Sequence, residues 1–374
     1  MIQRVMQVGY LNPFDNYGGV EKYILMHAKA LYNLYNVSVD VLCSGDFQSV
    51  TQSPFGKVIT LRVPLFNRKN LFFISKYLYA RKVKKYLANH YRDYDAIHFH
   101  GDNGSITSKY NDKAILTLHG MARNITSMKK RIITYTTHKI ELNNVKKARF
   151  IFSVTLEAKE EFSRYTNKIN LIKASVDTDL YKVPTEEEKK GARLSLGFDP
   201  TKIVGIIIGR DPVRKGLNVA IDAITQMHDN RIQLVAIGFP IVENKDNNIS
   251  YTGNVDESTK VLYLKASNFF IFPSLKEGFP ISVLEAACMG LPLIVSRQSG
   301  VSDLKSMVPF YREIDSGLAE DYSNALKEFI TEYTQPRYFY NLTNLDKIAE
   351  YSIKSSVSIY MSAYSKLETT DSGT

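Results

Sequence analysis

The chain has 374 residues, 44% of them apolar and 23% charged, which is enough to bury a sizeable core and too much for one ordinary domain, so two domains are expected. Its two cysteines, Cys43 and Cys288, lie far apart and exclude a disulfide framework or a cysteine-built zinc site, which points to a reducing compartment. No apolar run is long enough to cross a bilayer, which argues against an integral membrane protein, and Met1–Tyr10 is too short in its apolar part for a signal peptide.

The formal charge of +10 is unevenly spread. Residues 1–175 hold 27 Lys and Arg against 12 Asp and Glu, a net of +15, which leaves −5 for the rest. A basic amino-terminal half suits an anionic membrane surface, a phosphorylated acceptor or nucleic acid.

Short β-branched runs alternate with helical periodicity, the pattern of βαβ units and parallel sheets. In the first half the expected strands are Arg4–Gly9, Val37–Leu42, Val58–Arg62, Ala96–Phe99, Ala114–Leu118 and Phe150–Val154. In the second they are Ile203–Gly209, Ile232–Ile237, Ile249–Tyr251, Phe269–Phe272 and Leu293–Ser296. A hinge is expected over Ser175–Pro184, followed by a helix that ends at Gly197 before Asp199-Pro200. The fold class is therefore α/β, with two Rossmann-like doubly wound parallel-sheet domains. The divisions are 1–175, a basic domain; 176–350, a second sheet domain; and 351–374, a helix and a disordered tail from Glu368. One helical stretch is read over Arg337–Lys366.

Ligands of such sheets sit beyond the carboxyl ends of strands, so chemistry is sought in the loops that follow them. After the first strand, Gly18 and Gly19 precede a helix whose start offers unpaired N–H groups to phosphate. No Gly-x-Gly-x-x-Gly follows, which weighs against a nicotinamide dehydrogenase. His119 closes another strand. His98 and His100 alternate with Ile97 and Phe99 on one strand face, with no third ligand to complete a metal site, so packing or hydrogen bonding is expected of them. In the second half, Gly209-Arg210-Asp-Pro-Val-Arg-Lys215-Gly216 places a guanidinium and an ammonium on one glycine-bounded loop, a pair suited to a diphosphate. Glu277-Gly278-Phe279-Pro280-Ile281-Ser282 leads into a helix that carries Glu285 among apolar residues. Pro280 in the first turn leaves the N–H groups of Ile281 and Ser282 for an anion, and a carboxylate in the position of Glu285 needs a polar partner.

Together, Gly18-Gly19-Val20-Glu21, His119-Gly120, the Arg210 and Lys215 pair, and Glu277 and Glu285 with seven residues between them resemble the retaining nucleotide-sugar glycosyltransferases of family four, with the GT-B fold. The resemblance covers nearly the whole chain. It implies two lobes facing across a cleft, an acceptor-binding domain over 1–175, a donor-binding domain over 176–350 and a carboxy-terminal helix that crosses back to the first domain. Gly18 and Gly19 would approach the donor phosphates, and Arg210 and Lys215 would neutralise the diphosphate. Glu277 would meet sugar hydroxyls and Glu285 the ribose. Gly278, Phe279, Pro280, Ile281 and Ser282 would border the sugar and diphosphate, Gly253–Val255 would flank the base, and His119 would face the far edge of the sugar and stabilise positive charge. No metal or other cofactor is expected. Ser299-Gly300-Val301-Ser302-Asp303 and Lys173-Ala-Ser-Val176-Asp177 depart from the family pattern.

The expected reaction moves a hexosyl group from a nucleoside-diphosphate sugar to a hydroxyl of a glycan, glycolipid or lipid-linked acceptor, with retention. The alternatives are an epimerase or phosphorylase on the same fold, and a nucleic-acid-binding protein, for which no recognition motif is present. Basic and apolar residues interleave over 68–87, as in an interfacial helix or a core helix with a basic outer face. The corresponding location is cytoplasmic and peripheral, on the inner face of the cell membrane.

Overall fold

A computed structural model describes residues 1–14, 18–64, 72–120, 128–242, 247–333 and 343–368. In chain order its elements begin β1 (Arg4–Val8), α1 (Gly19–Tyr35), β2 (Ser38–Gly45), β3 (Ser49–Ser53), β4 (Gly56–Arg62), α2 (Phe72–His90), β5 (Ala96–His100), β6 (Ala114–Leu118), α3 (Met128–Lys147), β7 (Phe150–Ser153), α4 (Leu156–Ser163) and β8 (Ile169–Leu171). They continue with α5 (Glu186–Ser195), β9 (Ile203–Ile208), α6 (Leu217–Thr225), β10 (Ile232–Ile237), β11 (Ile249–Gly253), α7 (Glu257–Ala266), β12 (Phe269–Phe272), α8 (Ile281–Cys288), β13 (Leu293–Ser296), β14 (Tyr311–Ile314), α9 (Ala319–Tyr333), α10 (Leu345–Glu350) and α11 (Ile353–Glu368).

The chain divides into two units, one of Met1–Ser175 with the stretch from Ile353, the other of Val176–Ser352. Among the described residues the first unit has an eight-stranded sheet in the order β3-β4-β2-β1-β5-β6-β7-β8. It is parallel except for the β3–β4 hairpin. The second has a six-stranded sheet in the order β11-β10-β9-β12-β13-β14, with every pairing parallel. Both are doubly wound: order reverses at β1/β5 in the first sheet and at β9/β12 in the second, and such switch points open crevices at strand carboxyl ends.

Central strands are buried on both faces, which is why they read as unbroken apolar runs; β6 and β12 are buried at every residue. One face of the first sheet packs on Tyr79, Val83 and Leu87 of α2 and Val145 of α3. The other packs on α1 and on Val357, Tyr360 and Tyr364 of α11, so the last helix does return to the first sheet. The single helix read over 337–366 is corrected: α10 and α11 are separated at Tyr351–Ser352, where the Val176 N–H donates to Tyr351 O at 2.9 Å. Residues 337–342 of that stretch, and 369–374 of the expected tail, lie outside the described residues.

Three strands escaped the pattern. β3 is exposed and polar, β8 has three residues, and β14 is an edge strand reading Tyr-Arg-Glu-Ile. In α5 the Thr185 side chain and Glu188 form a reciprocal capping box, so the polar run after the hinge is a well-started helix.

Candidate functional site

In the second unit the loops after β9 and β12 emerge side by side at the switch point. Gly209 directly follows β9, where a Cβ would stand 2.7 Å from Lys215 Cγ and 2.8 Å from Phe239 Cζ. Gly216, at φ 69°, opens α6 against Pro273, whose carbonyl oxygen would lie 2.0 Å from an added Cβ. This close packing needs glycine at both ends of the cationic loop. It folds the Lys215 stem inward, with Nζ 4.6 Å from the centre of the Phe272 ring.

Lys215 Nζ lies 2.8 Å from Glu277 Oε1, and Arg214 Nη1 reaches the same oxygen at 2.6 Å. Ser274 Oγ is 2.9 Å from Glu277 Oε1 and 3.0 Å from Arg214 O, sharing one proton between them. The Leu275 N–H donates to Arg214 O, and the Glu277 N–H to Gln298 O. Burial lowers the Lys215 pKa and the Glu277 charge opposes that shift. Arg210 is exposed, and among the described residues no ion pair or hydrogen bond engages its guanidinium.

Gly278 and Phe279 lead into α8, the Phe279 ring 6.4 Å from Tyr351 and nearly parallel to it. Pro280 is the N-cap rather than a first-turn residue, which corrects the sequence reading by one position. Its carbonyl accepts from Val283 and Leu284. Among the described residues no hydrogen-bond partner meets the N–H of Ile281 or Ser282. Helices α4, α5, α7 and α10 have side-chain caps, whereas α1, α6 and α8, which begin beyond β1, β9 and β12, have none. The start of α8 retains the N–H groups of Ile281 and Ser282 as donors that favour an anion.

Glu285, the fifth residue of α8, is 1% exposed. Its partner is Lys260 of α7, whose Nζ lies 2.9 Å from Glu285 Oε2 and 3.0 Å from Glu257 Oε2. The Tyr181 hydroxyl donates to Glu257, and burial followed by the two carboxylates raises its pKa. Burial, with Glu285 adding, pushes the Cys288 thiol up to about 12, so it is a packing residue and no nucleophile. Gly253, at φ 64°, ends β11 beside Ile241, two strands from β9, with the half-buried Val255 just beyond.

The remaining candidates lie in the first unit. Gly18 caps α1 where a Cβ would strike the Glu21 carboxylate, while an added Cβ at Gly19 would meet nothing within 4 Å. His119 follows β6, with Nε2 2.9 Å from His100 Nδ1 and the Tyr23 ring edge-on at 4.7 Å. Burial lowers its pKa to about 3, and lowers those of His98 and His100 well below the ordinary value. His98 bonds Tyr364 and Thr117, and the Tyr23 and Tyr360 hydroxyls are 2.7 Å apart. The two histidines of β5 thus serve hydrogen bonding, as read from their alternation.

The second unit brings Lys215 and Glu277 together and holds Glu285 apart on Lys260. Sequence reasoning missed Arg214, Ser274, Lys260 and Tyr181, and also Gln7 of β1, whose Oε1 lies 2.6 Å from His100 Nε2. Arg214 stood in the quoted loop directly before Lys215, and Ser274 lies three residues before Glu277; the others carry no local signal, since their partners are distant in the chain.

Two doubly wound, mainly parallel sheets, with a cationic loop and the Glu277 segment meeting at the switch point of the second, are of the GT-B class, as the solved structures named below support. Residues 17–180 match the family described as Glycosyltransferase Family 4, and residues 202–330 match Glycosyl transferases group 1. The chain belongs to the family 4 glycosyltransferases.

Among curated relatives, it is 29% identical over 149 residues to the putative teichuronic acid biosynthesis glycosyltransferase TuaC of Bacillus subtilis, covering 40% of this chain and 37% of that one. It is 26% identical over 143 residues to the sulfoquinovosyl transferase SQD2 of Arabidopsis thaliana, covering 37% and 28%. The matched part thus spans about a third of these relatives' lengths. Among solved structures, sucrose-phosphate synthase from Thermosynechococcus elongatus superposes with a TM-score of 0.75 at 18% identity over 98% of this chain and 100% of that one. Anabaena Alr3699/HepE, solved in complex with UDP and glucose, superposes with a TM-score of 0.70 at 15% identity over the same shares.

Proposed function

We propose that the protein transfers a hexosyl group, with retention, from a nucleoside-diphosphate sugar to an acceptor hydroxyl. The observation that carries this reading is the convergence of Arg214, Lys215 and Ser274 on one oxygen of Glu277 beside the uncapped start of α8. That arrangement keeps cations and backbone donors next to a carboxylate, which matches a ligand with both an anionic diphosphate and sugar hydroxyls. Relatives named as glycosyltransferases and a neighbour solved with UDP and glucose support it.

In this reading Arg210 and Lys215, with the N–H groups of Ile281 and Ser282, take the diphosphate. As the glycosidic bond breaks, positive charge grows on the sugar and negative charge on the departing phosphate, and fixed cations stabilise the latter without reorganising. Within the first unit, Gly19 leaves its surroundings open to a phosphate group, with Gly18 beside it. Glu277 takes sugar hydroxyls through Oε2, since its protein contacts described above all end on Oε1. Glu285 takes ribose hydroxyls, Gly278 and Phe279 border the sugar, and Gly253 and Val255 flank the base. The leaving phosphate oxygen takes the acceptor's proton. In the first unit His119, kept neutral by burial, offers a ring or backbone dipole to a sugar. No resident metal is part of the proposal.

The acceptor is assigned to the basic first unit and is a glycan, glycolipid or lipid-linked molecule. Helix α2 buries Tyr79, Val83 and Leu87 and exposes Phe72, Ile74 and Tyr77 with Arg81, Lys82, Lys84 and Lys85, a surface suited to anionic lipid on the cytoplasmic side. Residues 68–71 of the basic segment lie outside the described residues. No helix among the described residues is long and apolar enough to cross a membrane.

The deciding experiment incubates labelled UDP- and GDP-hexoses with and without a lipid-linked or glycan acceptor and reads both the anomeric form of the product and the released nucleotide. Acceptor-dependent product with the donor's anomeric configuration is expected. Conversion of the nucleotide sugar without acceptor would favour an epimerase.

A further inference from the structure

Gln7 lies on β1 and His100 at the end of β5, across the switch point of the first sheet, and each is 1% exposed. The His100 ring bridges two groups: Nε2 is 2.6 Å from Gln7 Oε1, and Nδ1 is 2.9 Å from His119 Nε2. Stacking on His98, 4.6 Å away and 18° from parallel, fixes the plane of the His100 ring, and Tyr23 stands edge-on to His119.

Such a chain of hydrogen bonds has a direction. An amide oxygen only accepts, so His100 Nε2 carries a proton. A neutral imidazole then has a lone pair at Nδ1, and that lone pair accepts from the Nε2–H of His119. Burial keeps both rings neutral, so His119 in turn has its lone pair at Nδ1. Among the described residues no hydrogen bond engages that atom, and His119 is partly exposed.

We propose that Gln7 and His100 are positioning residues that fix His119 in the tautomer protonated at Nε2, leaving Nδ1 as an acceptor for a ligand hydroxyl. Resting on the transferase reading, that hydroxyl belongs to a sugar that meets the first unit, and a sugar lacking it is a poorer substrate. The same lone pair directs negative density, not an N–H, at any positive charge that develops on the sugar. Rotating the Gln7 amide by half a turn would reverse every link and place an N–H donor at Nδ1, so one side chain on β1 sets the polarity of a group on a different strand's loop.

The test is long-range proton–nitrogen NMR of the full chain labelled with ¹⁵N-histidine at neutral pH, the His119 signals being assigned by their loss in His119→Asn. The expected spectrum shows His119 protonated at Nε2. Gln7→Glu, whose carboxylate when ionised accepts as the amide oxygen does, retains that pattern, and Gln7→Met, which removes the acceptor, averages His119 toward a mixture of tautomers. A His119 protonated at Nδ1 in the unmodified chain overturns the proposal, as does a pattern unaltered by Gln7→Met. Should Gln7→Met fail to fold, the unmodified chain and Gln7→Glu still decide. The spectrum needs no ligand, so an Nε2–H tautomer in a protein that turns over no nucleotide sugar would leave the relay standing and remove the transferase reading.

Discussion

Lys215 Nζ and Glu277 Oε1 are 2.8 Å apart, so the cation assigned to the diphosphate and the carboxylate assigned to the sugar form one ion pair. Neither group can be altered without changing the other's surroundings. Lys215→Ala and Glu277→Gln are each expected to lower turnover roughly 10²–10³-fold, and the double variant to fall well short of the product of the two losses. A double-mutant cycle on donor turnover measures this; fully multiplicative losses would show that the two act separately.

Lys260 is the counterion of a carboxylate that is 2% exposed. Removing it by Lys260→Met leaves Glu285 charged and buried, and a loss of about 3–5 kcal/mol is expected from breaking such a pair. Adding Glu285→Gln should recover much of it, because the stranded charge is gone. Urea denaturation of the two variants gives the comparison, and a single variant as stable as the unmodified protein would contradict the pairing.

The buried histidines make the fold acid-sensitive. Burial lowers His27 and His119 to about 3, below the ordinary value near 6.5. Between those values the unfolded chain binds protons that the folded one does not, so stability is complete above about pH 6.5 and falls as pH drops, at ~1.4 kcal/mol per pH unit for each group. Glu141 has the opposite sign. Burial, with Asp102 adding and Lys76 opposing, raises it to about 8, so its contribution is complete below its unfolded value of about 4.5 and is lost as pH rises through 8. Melting temperature should therefore fall steeply on acidification, and Glu141→Gln should gain stability relative to the unmodified chain at pH 8 but not at pH 4. A flat melting profile from pH 7 to 4.5 would contradict the neutral histidines.

Helix α2 offers a direct test on vesicles. Co-sedimentation with anionic liposomes is expected at low salt and should weaken at moderate salt, since exposed cations are screened. Replacing Arg81, Lys82, Lys84 and Lys85 by Gln should reduce it, and absence of binding at either salt would remove the membrane proposal.

Much of the fold was legible because its strands are apolar on both faces: Ala114–Leu118, Ile232–Ile237, Phe269–Phe272 and Leu293–Ser296 were read with the bounds they have. β3 and β14 were not, because an exposed or edge strand pairs through backbone groups and leaves no apolar pattern in its side chains. At the site the same distinction holds. Arg210, Lys215 and Glu277 lie in loops after strands and Glu285 in the helix that the last of these loops starts, so their positions could be placed from local rules. Lys260 could not, because its role arises only when the fold brings its ammonium to Glu285 across 25 residues of chain. Gln7, 93 residues from His100, is hidden for the same reason.

The central claim is that the loop after β9 and the start of α8 hold a nucleoside diphosphate. Calorimetric titration of UDP and GDP into the unmodified protein, Arg210→Ala and Lys215→Ala tests it most directly. Saturable binding of at least one nucleotide, weakened at least tenfold in both variants, is the predicted result; binding of equal strength in all three proteins would place the diphosphate elsewhere and contradict the account.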